Sequence, residues 1–257
     1  MNNTSQAETL LAILYNASMI SSIVSLTSLA IIWQHWEMTL NVCISVNCGC
    51  ILYGINTFST FMGGDIKLCH FGVYGLVPTV IIGLCLGIYH IYRCCINRGL
   101  DEPKTMNYSN NRTTINGQVV VIGPKRRAPF KQWMSSAFCA ALIGCLSLAH
   151  AVVMTDGFYK TCEQYKRGLI QLLGSRGREA HVIRHRLACG AIFDYMDYLQ
   201  PDANNFRRGE ELNTGFALQL AIVCTWLNFF TWIIICLLCF TMAKKKLNTL
   251  GEYFCCC

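Results

Sequence analysis

Cysteine offers the most chemistry in this sequence, which contains 17 cysteines among 257 residues. Two close spacings, Cys48-Gly49-Cys50 and Cys236-Leu237-Leu238-Cys239, resemble the dithiol motifs of thiol oxidoreductases. Cys236 and Cys239 lie among Ile, Leu and Phe, and a thiol in such apolar surroundings is inert. We therefore predict that the chain has no catalytic residue and is not an enzyme, with a membrane thiol oxidoreductase as the enzymatic alternative.

Histidine and cysteine also occur together in HVIRHRLAC, where His181, His185 and Cys189 recur every four residues. On a helix this spacing puts nitrogen and sulfur ligands on one face, a set that can bind zinc. Arg184 and Arg186 would repel a cation there, and Cys189 is also a candidate for a disulfide. We therefore predict no metal site and no cofactor. No phosphate-binding loop, nucleophile elbow or paired-carboxylate site rises above chance, and no nucleic-acid partner is expected.

Hydrophobicity determines the elements that must position these residues. The chain is 53% hydrophobic and 14% charged, whereas a soluble domain has about 25% charged residues. Four runs contain no Asp, Glu, Lys or Arg, and each is long enough to cross a hydrocarbon core of ~30 Å: 10–33, 71–92, 133–154 and 215–243. The first run lacks the basic flank and cleavage site of a signal peptide, so we expect it to remain as an anchor. The sequence predicts an all-α, multi-pass membrane protein built as a four-transmembrane-helix bundle.

Residues 42–62, between the first two runs, also lack charge and could form a fifth helix. Apolar residues alternate there at Leu40, Val42, Ile44 and Val46, the NCGC stretch is typical of a turn, and ILYGINTF follows. Alternation with a period of two favours a strand over a helix. We therefore predict a small β-hairpin in this loop.

Basic residues predict the orientation of the four spans. An even number of spans places the N-terminal 1–9, the loop 93–132 and the tail 244–257 on one side of the membrane. That side carries the whole formal net charge of +7, and segments rich in Lys and Arg usually stay in the cytoplasm. We therefore predict that both termini are cytoplasmic and that the loops 34–70 and 155–214 are exoplasmic, in the plasma membrane or a secretory-pathway membrane.

One feature favours the opposite orientation. The N-x-S/T sequons at Asn2, Asn3, Asn107 and Asn111 all fall on the predicted cytoplasmic side, where they would not be glycosylated. Sequons are frequent by chance and the modification needs the secretory lumen. The charge argument therefore decides the prediction, and the inverted orientation is its alternative.

Six cysteines fall in the predicted exoplasmic loops: Cys43, Cys48, Cys50, Cys69, Cys162 and Cys189. An even number in an oxidising compartment indicates disulfides, although six cysteines allow 15 pairings. We favour Cys50–Cys69 within the first loop and Cys162–Cys189 within the second, and leave Cys43 and Cys48 open. The second loop is then a disulfide-tied helical unit.

Five cysteines fall on the predicted cytoplasmic side, close to span ends: Cys94, Cys95, Cys255, Cys256 and Cys257. Juxtamembrane cysteines are common S-palmitoylation sites, so the sequence predicts a lipoprotein, with an unmodified tail as the alternative. The C-terminus is not a prenylation motif because Phe254 stands where that motif needs cysteine. Neighbouring basic residues are predicted to contact anionic lipid: Lys125, Arg126, Arg127, Lys131, Lys244, Lys245 and Lys246.

Small residues recur at helical spacing in two of the spans, where they let helix backbones approach closely. The predicted packing positions are Gly83 and Gly87 in the second span and Ser136, Ala140 and Gly144 in the third. A second stripe in the third span consists of Ala137, Ala141, Cys145 and Ala149. We expect packing within the bundle, and the alternative is a helix of another protein.

The predicted spans contain no charged residue, whereas transporters coupled to ions or protons usually carry one. The two halves of this chain also show no repeat of each other and no paired helix breaks, which are features of many transporters. His90 and His150 lie near opposite ends of their spans, and we predict that both lie at the headgroup level. The sequence therefore disfavours a transporter.

Several short motifs resemble the transmembrane protein 179 family of four-span membrane proteins. They are Cys50-Ile51-Leu52-Tyr53, Cys69-His70-Phe71, Cys94, Gly157-Phe158-Tyr159-Lys160-Thr161-Cys162 and Cys189. The resemblance implies four spans and exoplasmic disulfides, and it implies no catalytic residue. This chain departs from the family in Cys43 and Cys48, in its longer 93–132 loop and in its three-cysteine end.

The sequence as a whole predicts a non-enzymatic, tetraspan integral membrane protein. We expect it to act as a membrane organiser, adhesion protein or accessory subunit through its exoplasmic loops. Its predicted partners are membrane lipid and another membrane protein. A small oligomeric channel or transporter is the alternative.

Overall fold

The computed structural model describes residues 3–43, 47–57, 61–95, 130–174, 177–199 and 212–255. In these ranges the chain forms seven helices and two strands: α1 (Asn3–Leu40), β1 (Cys50–Asn56), β2 (Phe61–Gly64), α2 (Ile66–Tyr74), α3 (Val77–Cys95), α4 (Phe130–Leu172), α5 (Arg178–Arg186), α6 (Cys189–Leu199) and α7 (Thr214–Cys255). Four helical segments are long and apolar enough to cross a membrane: Gln6–Leu40, Ile66–Cys95, Trp133–Gln171 and Thr214–Lys245. The predicted mostly helical architecture, with four candidate spans and a small sheet, is confirmed.

The third candidate span continues well past the apolar run that predicted it. α4 extends from the end of that run at Met154 to Leu172, and so forms the first part of the predicted loop 155–214. Phe158, Tyr165 and Leu169 lie on one face of this extension and are buried. An amphipathic face that packs on protein stabilises a helix beyond its apolar stretch. The loop therefore begins as a continuation of the span.

The second candidate span is broken into α2 and α3, which the sequence had predicted as one helix. The break lies at Gly75 and Leu76, shortly before Pro78. Proline has no backbone N–H and its ring collides with the carbonyl four residues earlier, here that of Tyr74. The Gly75 N–H still donates to the Phe71 carbonyl oxygen at 2.8 Å, so the interruption is short.

Neighbouring helices of the bundle run antiparallel. α1 packs against α3, with Gly87 against Asn16 and Gly83 against Met19. On its other side α1 packs against α7, where Ser18 contacts Asn228. α4 packs against α7 as well. The start of α1, the end of α3, the start of α4 and the later part of α7 share one apolar cluster and therefore lie at the same end of the bundle.

The two strands pair in an antiparallel sheet whose position differs from the predicted hairpin. β1 pairs with β2 through Cys50–Gly64, Ile55–Met62 and Asn56–Phe61, with a bulge in between. NCGC is not the turn of this sheet, and Leu40, assigned to a strand from its alternation, is the last residue of α1. Leu40 is fully buried, and this burial holds it in the helix against the local alternation.

Candidate functional site: the disulfide-tied cap

One end of the bundle carries a folded unit that we call the cap. It consists of the β1–β2 sheet, residues 155–172 of α4, α5 and α6. Three disulfides join the described residues of this end: Cys43–Cys48, Cys50–Cys69 and Cys162–Cys189. Both pairings favoured from the sequence are present, and the two cysteines left open pair with each other. Cys48 and Cys50 belong to different disulfides, so the Cys-Gly-Cys spacing does not form a redox pair.

One disulfide connects the cap to the bundle and another joins two parts of the cap. Cys50–Cys69 joins β1 to α2 and closes 19 residues, and Cys162–Cys189 joins α4 to α6 and closes 27 residues. A disulfide that closes a loop of this length stabilises the folded state by roughly 3 kcal/mol in the chain-entropy account. The sheet is therefore held covalently against α2, and α6 is held covalently against α4.

The bulge of β1 is completed by a side chain from α4. Tyr53 adopts a positive φ of 59°, an uncommon conformation for an aromatic residue. The Gly54 N–H donates to Thr161 Oγ1 at 2.9 Å, and the Thr161 hydroxyl donates to the Ile51 carbonyl oxygen at 2.9 Å. Thr161 thus satisfies two backbone groups that the bulge removes from the strand ladder.

The absence of a side chain at Gly157 lets β1 lie directly on α4. A Cβ atom there would stand 2.9 Å from a Tyr53 ring carbon and 3.0 Å from Leu52 Cβ. The two sequence segments CILY and GFYKTC therefore form one contact surface, with Tyr53 and Leu52 on one side and Gly157 and Thr161 on the other. These are two of the segments that carry the family resemblance.

A polar group lies on the outer side of this contact. Lys160 Nζ is 5.0 Å from the centre of the Tyr53 ring and 2.9 Å from Asp156 Oδ2. Burial and the neighbouring Asp156 carboxylate raise the pKa of Tyr53 to about 12, so the phenol stays neutral at physiological pH. A neutral phenol beside an ion pair can donate hydrogen bonds and stack, but it is not an activated nucleophile. The arrangement presents a hydrogen-bond donor, an aromatic face and an ion pair side by side.

α6 attaches the cap to the start of α7 and to α4. Asp194 Oδ1 accepts a hydrogen bond from the Gly215 N–H at 2.9 Å, which caps the first turn of α7. Phe193 is fully buried and stacks on Phe158 of α4 with ring centres 5.0 Å apart. Trp36 near the end of α1 donates to Thr214 Oγ1 at 3.1 Å. α6 therefore contacts two of the candidate spans, α4 and α7, and the Trp36 hydrogen bond joins α1 to α7 beside it.

The residues of the hypothetical zinc site do not share one helix face. α5 ends at Arg186, Leu187 is extended, and Cys189 begins α6 in a disulfide with Cys162. His181 and His185 remain neighbours on α5, with ring centres 4.6 Å apart. Cys189 is thus unavailable as a third ligand.

The opposite end of the bundle contains an ion pair that the sequence analysis missed. Arg93 Nη2 of α3 lies 2.8 Å from Glu8 Oε1 of α1, and both side chains are largely buried. The adjacent Cys94 Sγ lies 3.7 Å from Thr9 Oγ1 and is half-buried, whereas Cys95 is exposed. The sequence contains a signal for this pair, because Glu8 precedes the first apolar run and Arg93 follows the second, which places both at the same end of an antiparallel helix pair.

Other predicted residues of this end fall partly outside the described chain. Lys244 and Lys245 are exposed on α7. For Lys131, Lys246 and Cys255 only the helical backbone is described. Beyond the described residues lie Lys125, Arg126, Arg127, Cys256 and Cys257.

The small-residue positions divide between the inside and the outside of the bundle. Gly83 and Gly87 contact α1, and Gly144 lies against Trp232 of α7. On the same face of α4, Ala140 is buried and Ser136 half-buried. The second stripe is buried at Ala137 but exposed at its other three positions, Ala141, Cys145 and Ala149. The predicted packing positions thus take part in contacts within the chain.

Buried polar side chains, also missed from the sequence, connect three helices inside the bundle. Asn228 Oδ1 accepts hydrogen bonds from Ser18 Oγ at 2.6 Å and Trp232 Nε1 at 3.1 Å, and its amide donates to Ser147 Oγ at 3.2 Å. An asparagine in the middle of an apolar run is the sequence signal that could have identified this network. The network fixes the register of α1, α4 and α7.

The two histidines predicted at the headgroup level are both buried among the helices. His150 is fully buried and its Nε2 is 2.7 Å from the Gly72 carbonyl oxygen, beside the break between α2 and α3. His90 is buried and stacks on Tyr15 with ring centres 5.5 Å apart. An imidazole can be accommodated among apolar residues when an aromatic ring or a carbonyl contacts it.

No match to this chain is found among protein-family models, curated proteins or solved structures. The likeness to the transmembrane protein 179 family stays a prediction from its motifs.

Proposed function

We propose that this protein is a non-enzymatic, four-span integral membrane protein that acts as an organiser, adhesion protein or accessory subunit through the cap. The observation that carries the proposal is the concentration of disulfides in a compact unit at one end of the bundle. Loops held on a rigid scaffold are where recognition usually occurs. The cap offers such a surface, whereas its Tyr53–Lys160–Asp156 group has no activated nucleophile.

The disulfides and the charges independently favour the same orientation. Disulfides form and persist in oxidising compartments, so the cap belongs outside the cytosol. Positive segments belong inside it, and the exposed Lys244 and Lys245 lie on the helix that leaves the other end of the bundle. Both termini are then cytoplasmic, in the plasma membrane or a secretory-pathway membrane.

The cytoplasmic end is proposed to carry acyl chains and to contact anionic lipid. Cys95 is exposed at the end of α3, where an attached chain could enter the bilayer beside the helix. Acyl-exchange labelling should fall when Cys94, Cys95 and Cys255–Cys257 are replaced by serine. Labelling equal to that of the natural sequence would contradict the acylation proposal and leave the cap proposal intact.

The partner of the cap is proposed to be another membrane protein. Proximity labelling from an enzyme inserted between α4 and α5 tests this, because Gly174 and Gly177 are exposed and border open space. The expected result is enrichment of particular membrane proteins, which is lost when Gly157→Ala disturbs the cap surface. A labelled set that is the same for a cap-deleted protein would contradict the proposal.

A small oligomeric channel or transporter is the second candidate, and one observation favours it. The hydroxyls of Ser22, Ser25 and Thr79 are buried inside the bundle and have no hydrogen-bond partner among the described residues. Polar groups of this kind can line a water-filled path. Ion or solute flux in reconstituted liposomes separates the candidates, since the organiser proposal expects none.

A further inference from the structure

The described part of the cap carries a strongly basic surface on α5. This helix contains the arginines Arg178, Arg184 and Arg186 against a single acid, Glu179, and none of its residues is buried. The ion pairs found among the described residues involve Glu8, Asp156 and Glu163, and none of them includes an arginine of α5. The three guanidinium groups are therefore available to an outside ligand.

The exposed basic side chains of α5 lie on its outward face and on both flanks of that face, since Arg184 and Arg186 are roughly 160° apart around the helix axis. Arg178, His181 and His185 follow one another at intervals of three and four residues, which places them on one face. Ala180 and Ile183, on the other side, are half-buried. The two imidazoles lie together, with ring centres 4.6 Å apart, and add donors between the arginines.

α5 is held in place although it buries little of its own surface. Lys166 Nζ of α4 donates to the Arg184 carbonyl oxygen at 3.2 Å and places a further cation beside the helix. Shortly after α5 the chain is fixed to α4 by the Cys162–Cys189 disulfide. The backbone that carries the arginines is thus held on α4, so a ligand has to order only their side chains.

We propose that the outward face of α5 binds a sulfated polysaccharide chain, an inference that rests on the exoplasmic position of the cap in the proposed function. Guanidinium groups bind tetrahedral oxyanions through paired, charge-assisted hydrogen bonds. Short segments dense in Arg and Lys are typical of nucleic-acid and heparin contacts. Of these two polyanions, sulfated polysaccharide is the one that an exoplasmic surface meets.

Distance argues against the headgroups of the protein's own membrane as the ligand. Lys166 lies 12 residues after Met154, where the apolar run ends, so at about 1.5 Å per residue it stands roughly 18 Å beyond that point. Electrostatic attraction to a charged surface is screened over about 8 Å at physiological ionic strength. α5 therefore stands beyond the effective range of its own bilayer.

Surface composition argues against a folded acidic protein as the ligand. Protein interfaces have an apolar or aromatic centre with few charges. On the exposed side of α5 the large apolar side chain is Val182, 53% exposed, and Arg178 and Arg186 lie four residues from it on either side. A flexible polyanion needs no such apolar centre, because charge pairing supplies most of its affinity.

Binding of the full-length protein to heparin tests the proposal directly. The protein is placed in nanodiscs of uncharged phosphatidylcholine, and heparin is compared with fully desulfated heparin and with polyglutamate. The test variant is Arg178→Gln with Arg184→Gln and Arg186→Gln. Its control, Lys67→Gln with Arg167→Gln, removes two exposed cations from the same end of the molecule.

The expected result is heparin binding that weakens with salt and falls about tenfold in the α5 variant, because three ion pairs are lost. The control variant should bind within about twofold of the natural sequence. Equal binding to desulfated heparin, equal weakening in both variants, or tighter binding of polyglutamate would each overturn the proposal. The last outcome would assign the surface to an acidic protein segment.

A second measurement needs no variant and so avoids any folding defect. Heparin should slow tryptic cleavage after Arg184 and Arg186 in the natural protein and leave cleavage after Lys245 unchanged. Unprotected cleavage at both arginines would overturn the proposal.

Binding in nanodiscs, where both faces are accessible, does not depend on orientation. A cap found in the cytosol would overturn the proposed function and this inference together, whereas an exoplasmic cap without heparin binding would overturn this inference alone.

Discussion

Two threonines show, at the residue scale, how differently buried hydroxyls are used. Thr161 bridges the Gly54 N–H and the Ile51 carbonyl across the bulge of β1. Thr79 is equally buried in α3, but its hydroxyl has no partner among the described residues. A satisfied buried group stabilises a fold, whereas an unsatisfied one opposes folding.

We expect Thr161→Val to lower the free energy of unfolding by about 1–3 kcal/mol, because two backbone groups lose their partner. Thr79→Val is the matched control and should leave stability unchanged or raise it, because it removes an unpaired hydroxyl. Thermal unfolding in detergent micelles measures both. An equal loss in the two variants would contradict the assigned role of Thr161, and a large loss at Thr79 would indicate that its hydroxyl holds water.

A second pair of variants tests the contact between β1 and α4. In Gly157→Ala the new Cβ would meet the Tyr53 ring at 2.9 Å, so we expect a loss of about 1–3 kcal/mol from overpacking. In Gly144→Ala the nearest atom would be Trp232 Cβ at 3.9 Å, an ordinary contact, and alanine favours a helix. Thermal unfolding should show a loss of stability in Gly157→Ala and a gain in Gly144→Ala. A stabilising Gly157→Ala would show that β1 does not lie on α4.

At the scale of elements, the disulfides differ in the length of chain that they close. Removing Cys162–Cys189, which closes 27 residues, with a double serine variant should reduce stability by about 3.5 kcal/mol in the chain-entropy account. Removing Cys43–Cys48, which closes five, should reduce it by about 2 kcal/mol. Unfolding of the two double variants under oxidising conditions measures the difference. The reverse order would mean that strain or packing outweighs loop length.

The spans could be predicted from sequence because the absence of charge over a whole span is a local property. The predicted runs at 10–33 and 215–243 lie within α1 and α7. The pairing of β1 with β2 could not be derived in this way. It depends on Gly157 and Thr161, which are about a hundred positions away in sequence and complete the bulge from α4.

The extension of α4 is a second feature that the local sequence predicts only in part. Its apolar residues Phe158, Tyr165 and Leu169 recur at helical spacing, so a helix was predictable there. The charged residues between them predicted that the span ends at Met154 and that a separate loop begins at residue 155. Continuity with the span follows from packing against β1, which the local sequence does not contain.

At the scale of the whole molecule, the two ends of the bundle differ in chemistry. One end is closed by disulfides and presents the Tyr53–Lys160–Asp156 group and the basic face of α5. The other end joins α1 to α3 through the Glu8–Arg93 ion pair and presents the exposed Cys95. Such polarity is expected of a protein whose ends face an oxidising and a reducing compartment.

The central claim is therefore that the cap lies outside the cytosol and that both termini lie inside it. Protease digestion of sealed microsomes tests it most directly, with one tag at each terminus and a third between α4 and α5. The account predicts that both terminal tags are digested without detergent and that the cap tag is protected until detergent is added. A protected terminal tag, or a cap tag digested in sealed vesicles, would contradict it.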